Sequence, residues 1–196
     1  SIAKASELID MRNHIGEHPR MGATDVCPFI PVRGVTMDDC IAIAKDLGKR
    51  VGDNLSIPVY LYESAASSPN RINLAAVRAG EYEALPEKLK ASAWKPDFGK
   101  AEFNARSGAT AIGAREFLIA YNVNLNSCNR KLATDIALDI RESGRAKRDP
   151  AGKVIRDEKD IVVRMPGLLK ACKAVGWEIE EYGKAQVSIN LTDYTE

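Results

Sequence analysis

The densest chemistry in the chain lies in one short run, His14-Ile15-Gly16-Glu17-His18-Pro19-Arg20-Met21-Gly22. It holds both histidines of the protein, a carboxylate and a guanidinium, together with two glycines that let backbone approach a ligand closely. Pro19 biases His18 toward extended conformations. An imidazole, with its reference pKa near neutrality, can take a proton and return it at physiological pH. By residue type alone, His18 is a candidate general acid–base, and equally a surface histidine held by a hydrogen bond. His14 and His18 have the i, i+4 spacing of a helical metal site, but Gly16 and Pro19 oppose a helix there, so no metal is expected.

A second candidate is the poorly periodic loop at residues 93–108 (AWKPDFGKAEFNARSG), since long loops in compact domains often carry function. Lys100 and Arg106 could meet an anionic ligand there. Trp94, Phe98 and Phe103 could stack on a flat ring or pin the loop to the core, and composition leaves both readings open. Gly99 and Gly108 stand too far apart for a phosphate loop, and no Gly-Lys-Ser/Thr follows. The basic run Arg145, Lys147, Arg148 lacks interleaved aromatics and reads as a solvated hairpin, not a nucleic-acid site. No Gly-x-Ser-x-Gly elbow occurs. Cys27, Cys40, Cys128 and Cys172 match no zinc spacing and lack activating neighbours, which suits reduced thiols in a cytoplasmic protein.

The 196 residues, 45% hydrophobic and 28% charged with a formal net charge of +1, suit a soluble globular protein without a global pull toward nucleic acid or anionic membranes. No apolar stretch approaches the roughly 20 residues that cross a bilayer. Ser1 to Met11 reads as a helix already under way without an initiator methionine, so a fragment or processed chain is expected.

The elements that must position these residues follow from periodicity. A strand is expected at Asp25–Val32, where Pro28 and Pro31 require an edge or a bulge. Thr36 should cap an amphipathic helix running to about Asn54. A strand is expected at Pro58–Tyr62, short helices near Ile72–Arg78 and Leu85–Ala91, and a strand at Glu116–Leu125. A helix at Asn129–Glu142, a hairpin or loop at Gly144–Arg164, a helix at Pro166–Val175, and strands at Trp177–Tyr182 and Ala185–Thr192 complete the order. The irregular alternation suits α+β sandwich architecture better than a doubly wound parallel sheet. A domain boundary falls near residue 113, giving units 1–113 and 114–196.

The stretch Glu7–Cys40 (ELIDMRNHIGEHPRMGATDVCPFIPVRGVTMDDC) resembles the signature of the formiminotransferase domain family. The similarity continues through PVYLYE, VRAGEYEALPEKL, PDFG, GATAIGAREFLIAYNVNL and AQVSINLTD, essentially the whole chain. The resemblance implies two α/β sandwich lobes, the second ferredoxin-like, with folate between them. It implies glutamate formiminotransferase activity: transfer of a formimino group from N-formimino-L-glutamate to N5 of tetrahydrofolate in histidine breakdown, without a metal. His18 takes the family's acid–base position. The folate loop maps onto Gly99, Lys100, Ala101, Glu102, Phe103, Asn104, Ala105, Arg106, Ser107 and Gly108. Glu17, Arg20 and Arg33 are candidates for substrate binding, the two arginines because a guanidinium matches a carboxylate bidentately. Family members are commonly dimeric or larger, so a homo-oligomer is expected. The VPNFSEG-like strand that opens family members is missing here, and the likeness ends soon after AQVSINLTD, so both lobes are expected to be truncated. The alternatives are a relative that handles 5-formyltetrahydrofolate and a non-catalytic folate-binding or assembly fragment.

Overall fold

Ile2 anchors the first helix, α1 (Ile2–Leu8), by burying its side chain in the core. The helix ends at Leu8, short of the expected Met11, because Ile9 turns extended and Asp10 then caps a 3-10 turn over Met11–Asn13. The structure is a computed structural model that describes every residue except Glu17 and Glu196. Strand β1 (Val26–Phe29) follows, then helix α2 (Met37–Leu55). Thr36 Oγ1 accepts from the Asp39 N–H at 3.2 Å and Asp39 Oδ2 accepts from the Thr36 N–H at 2.8 Å, a reciprocal cap that starts the helix where expected.

Strand β2 (Val59–Glu63), the short helices α3 (Leu74–Val77) and α4 (Leu85–Lys88), and strand β3 (Thr110–Ala114) complete the first compact unit, Ser1–Arg115. Its sheet has the order β1-β3-β2, all parallel, with Val26 opposite Ala111 and Val59 opposite Thr110. Pro28 thus sits on an edge strand, where its missing N–H costs no ladder bond. One face packs Ile112 and Ala114 against Cys40, Ala44 and Val51 of α2. The other packs Tyr60, Tyr62 and Ala111 with Met21, Val77, Leu85 and Leu89. Sequence periodicity places one strand in 109–124, whereas the structure has two. The central strand β3 escapes because it is buried on both faces and built of Thr, Ala and Gly, so neither alternation nor β-propensity marks it.

A buried charge ties the elements of this unit together. Arg71 donates to Asp97 Oδ2 at 2.7 Å, and the two side chains are only 8% and 10% exposed. The same carboxylate oxygen accepts from the Leu61 N–H of β2 at 2.7 Å, while Arg71 also donates to the carbonyls of Ala93 and Lys95. The guanidinium lies over the rings of Tyr60 and Trp94, and the Tyr60 hydroxyl donates to the Trp94 carbonyl at 2.8 Å.

The second unit, Glu116–Glu196, contains strand β4 (Ile119–Asn124), helix α5 (Arg130–Ile140), and strands β5 (Arg145–Ala146), β6 (Arg164–Met165), β7 (Cys172–Ile179) and β8 (Lys184–Leu191). An antiparallel sheet of order β4-β8-β7 carries α5 on one face through Ala133 and Ala137, packed with Ala174, Ala185 and Val187. The charged segment between β5 and β6 doubles back twice, with bridges Arg148–Val154 and Arg156–Val162. The expected helix at 166–175 is a correction: strand β7 begins at Cys172. Cys172 and Ala174 are buried while Lys173 and Val175 are exposed, a period of two that only a strand fits. Helix α5 packs on β7 and β8 and leaves the edge strand β4 open, with Tyr121 61% exposed. With a three-stranded parallel sheet, a three-stranded antiparallel sheet, the small antiparallel pair β5-β6, and helices packed on the two larger sheets, the fold class is α+β. Among the described residues no helix is long and apolar enough to cross a membrane.

Replacing Asp97 with alanine should lower the unfolding free energy by about 3–5 kcal/mol in urea titrations, because it leaves the Arg71 charge buried without its counterion. A second expectation concerns alkaline pH. Burial pushes the Tyr60 phenol up to about 12, above its ordinary value. A raised acid stabilises the fold fully below the unfolded value of about 10 and loses that contribution as pH climbs toward 12. Tyr60→Phe should therefore flatten the stability curve across that window.

Candidate functional site

The histidine loop leaves the 3-10 turn at Asn13 and enters β1 at Val26, so α1 and the first sheet fix its two ends. His14 and His18 are both exposed, and both line a concavity of about 380 Å³ together with Pro19, Arg20, Gly22, Asp25 and Arg78. Arg78 forms an ion pair with Asp25, and the other Asp25 oxygen accepts from the Met21 N–H at 2.9 Å. Sequence reading passed over both residues. The signal was an aspartate and an arginine within apolar runs, but the 53 residues that separate them hide their meeting.

Arg20 has its guanidinium engaged within the fold. It donates to both carboxylate oxygens of Glu83, at 2.7 and 2.9 Å, to Glu81 at 3.0 Å and to the His14 carbonyl at 3.1 Å. Its side chain is 12% exposed. The hydrogen bonds to Glu83 raise the Arg20 pKa above its ordinary value, and the same contact lowers that of Glu83. The Tyr82 N–H also bonds the Arg20 carbonyl at 2.9 Å, so the loop is docked onto residues 81–83 by main chain and side chain together. Arg33 is exposed in the bend after β1 and is not among the described residues that line the concavity. Glu17 lies outside the described residues.

The histidine loop and the 99–108 loop meet at a backbone crossing. Gly22 bridges Gly108, with Ala23 N–H donating to the Ser107 carbonyl at 2.9 Å and Ala109 N–H to the Met21 carbonyl at 2.9 Å. A Cβ on Gly22 would stand 2.0 Å from the Ala109 oxygen, and Gly108, at a φ of 67°, would bring one within 2.1 Å of the Met21 oxygen. Only glycine permits that approach. Within the 99–108 loop, Gly99 to Phe103 are exposed, Asn104 and Ala105 are half-buried, and Ser107 and Gly108 are buried. Asn104 accepts from the Ser107 N–H through its side chain and donates to the Ser56 carbonyl. Arg106 donates to the carbonyls of Ser6 and Glu7 at 3.0 and 2.6 Å, capping the end of α1. It also pairs with Asp10, whose carboxyl the adjacent Arg12 holds down to about 2.

The aromatics divide. Trp94 packs edge-on against Tyr60, and Phe98 packs into the α2 core beside Gly48. Phe103 rests on Tyr82 with ring centroids 5.4 Å apart and stays 38% exposed, the most exposed of the three aromatics. The four cysteines are free, and burial pushes the Cys27 and Cys172 thiols up, away from thiolate chemistry. No group of three or more potential metal ligands occurs among the described residues.

A family model described as the formiminotransferase domain, N-terminal subdomain, matches residues 1–115, and one described as the formiminotransferase domain matches residues 120–196. The chain is 54% identical over 190 residues to the formimidoyltransferase-cyclodeaminase of Rattus norvegicus, covering 97% of this chain and 32% of that protein. It is 44% identical over 193 residues to the glutamate formimidoyltransferase of Streptococcus pyogenes serotype M1, covering 98% of this chain and 57% of that one. The glutamate formimidoyltransferase of Thermoplasma acidophilum is 45% identical, with the same two shares, 98% and 57%. The chain thus spans 32% of the first relative's length and 57% of the other two.

Gly22→Ala should cost at least about 1–3 kcal/mol, because the added methyl meets main chain that cannot swing aside. The check is a denaturant melt, and an unchanged midpoint would show that the two loops can part without loss.

Proposed function

Because the chain belongs to the formiminotransferase domain family, we propose that it forms the part of a glutamate formiminotransferase that carries the acid–base histidine and the folate loop. The observation that carries this reading is the Gly22–Gly108 crossing, which ties the loop bearing His18 to the loop proposed to hold folate. Tetrahydrofolate is the acceptor and N-formimino-L-glutamate the donor in this reading, and the reaction belongs to histidine degradation in the cytoplasm.

The chemistry asks little of the protein beyond proximity and one proton carrier. The lone pair of folate N5 attacks the formimino carbon and gives a tetrahedral intermediate. N5 then sheds a proton, the carbon–nitrogen bond to glutamate breaks, and the departing amine gains a proton. His18, exposed at the rim of its concavity, is proposed to take the first proton and deliver the second. Holding both reactants at one site supplies the larger share of the acceleration. Gly99 to Gly108 are proposed to line the folate, with Phe103 as the ring available for stacking. Arg20 and Arg33 differ in this scheme. Arg20, already clamped by Glu83, holds the loop's shape, whereas Arg33 has no such clamp among the described residues and is the better candidate of the two for a substrate carboxylate.

The test is formimino transfer from formiminoglutamate to tetrahydrofolate, comparing the protein with its His18→Asn variant. Turnover should fall by about 10²–10⁴-fold with folate binding retained. Equal rates would remove His18 from the proton transfer. Folate binding without turnover in either protein would favour the non-catalytic folate-binding reading. A preference for 5-formyltetrahydrofolate in competition would favour the related activity.

A further inference from the structure

Arg20, Arg71 and Arg78 all hold their side chains largely out of solvent in the first unit, but their guanidiniums are not equally occupied. Arg71 donates from both Nη atoms, to Ser67 and Asp97 from one and to the carbonyls of Ala93 and Lys95 from the other. Arg20 does the same toward Glu81, Glu83 and the His14 carbonyl. Arg78 differs. Only its Nη2 donates, to Asp25 Oδ2, and among the described residues its Nη1 has no acceptor. Its Nε is buried without a partner, as in Arg20 and Arg71, so the idle Nη1 is what sets Arg78 apart. The side chain is nevertheless only 20% exposed.

The chain puts this half-used cation in a particular place. Arg78 closes α3 with its N–H on the Leu74 carbonyl, and Gly80 and Glu81 then turn through left-handed conformations, at φ values of 81° and 57°. That turn brings Glu81 to Arg20 and leaves Arg78 lining the concavity that also holds His18. Asp25 fixes the guanidinium from one side and is itself fixed, because its other oxygen accepts from the Met21 N–H. One guanidinium can serve two carboxylates, as Arg20 does with Glu81 and Glu83. Stripped of most of its water and held by a single carboxylate, Arg78 is set to give a charge-assisted hydrogen bond to a second. The concavity, about 380 Å³, stands at the small end of the range of roughly 300–1,000 Å³ for small-molecule sites, which suits an amino acid better than a whole folate.

We propose that Arg78 is the carboxylate anchor of the formimino donor, binding one carboxylate of N-formimino-L-glutamate in the concavity that His18 lines. The proposal rests on the formimino transfer proposed above and adds the residue that selects the donor. A donor lacking that carboxylate leaves the guanidinium without its second anion, and a site built around such a bond discriminates sharply against the analogue that cannot make it. The glutamyl tail of folate carries the same acceptor chemistry, and the experiment separates the two.

The measurement is calorimetric titration of the whole chain with N-formimino-L-glutamate, L-glutamate and pteroylglutamate. Arg78→Lys keeps a cation for Asp25 but loses the planar fork, so its thermal midpoint should stay near that of the parent. Affinity for both amino acids should fall at least about tenfold, with pteroylglutamate bound as before. In turnover, the donor KM should rise while that of tetrahydrofolate stays unchanged. Asp25→Asn keeps an oxygen for the Met21 N–H but removes the competing anion, and it should tighten both amino acids. An arginine with a purely structural role would only lose its ion-pair partner there and bind no better. L-Glutamine and L-isoglutamine, each with one carboxylate turned into an amide, identify the group that is read: the amide whose affinity ignores Arg78→Lys carries the replaced carboxylate. Unchanged amino-acid affinity in Arg78→Lys, no gain in Asp25→Asn, a loss confined to pteroylglutamate, or a folded parent that binds neither amino acid would each overturn the proposal. Amino-acid binding that depends on Arg78, without formimino transfer, would refute the proposed activity and leave the anchor standing.

Discussion

The first unit depends on a place where two main chains nearly touch. Gly22 and Gly108 approach so closely that neither tolerates a side chain, and two backbone groups on each side are committed to the crossing. That contact converts two loops distant in sequence into neighbours. The rest of the unit holds the crossing in place. Residues 81–83 clamp the histidine loop through Arg20, the Tyr82 hydroxyl bonds the Ala105 carbonyl, and β3 begins two residues beyond Gly108.

Charge in this unit works mainly as internal joinery. Arg71 and Asp97 link β2, the 93–98 segment and the turn before α3 in one buried node. Arg20 with Glu81 and Glu83 does the same at the rim of the concavity, and Arg78 with Asp25 at its wall. Breaking the Arg71–Asp97 pair strands a buried ion, so that node acts as a strict test of correct folding. The node around Arg71 also explains two of the aromatics: Tyr60 and Trp94 face a guanidinium, not solvent, and so are lost to ligand stacking.

What could be read from the sequence divides along physical lines. Helix α2 was legible because its cap, its apolar spacing and its acidic first turn are all local. Helix α5 is legible from the apolar spacing of Leu132, Ile136 and Ile140, and its cap, Asn129, is equally local. Strand β3 is not legible, since a strand buried on both faces has no alternation to show, and the first half of β7, Cys172–Val175, reads as the end of a helix because Val175 is the one β-branched residue in it, while its second half reads as a strand from Trp177. At the site, the sequence could single out His18 and the 99–108 loop by composition and resemblance. It could not show that Arg20 is already clamped, or that Asp25 and Arg78 meet, because both facts are made by partners more than 50 residues away.

The closing carbonyls of helix α1, at Ser6 and Glu7, are held by Arg106 of the 99–108 loop, from the far side of the sequence. Those bonds couple the two: when the loop swings out, the end of the helix loses the donors that hold its last carbonyls. A molecule that quiets the loop should therefore slow amide exchange in a helix it never touches.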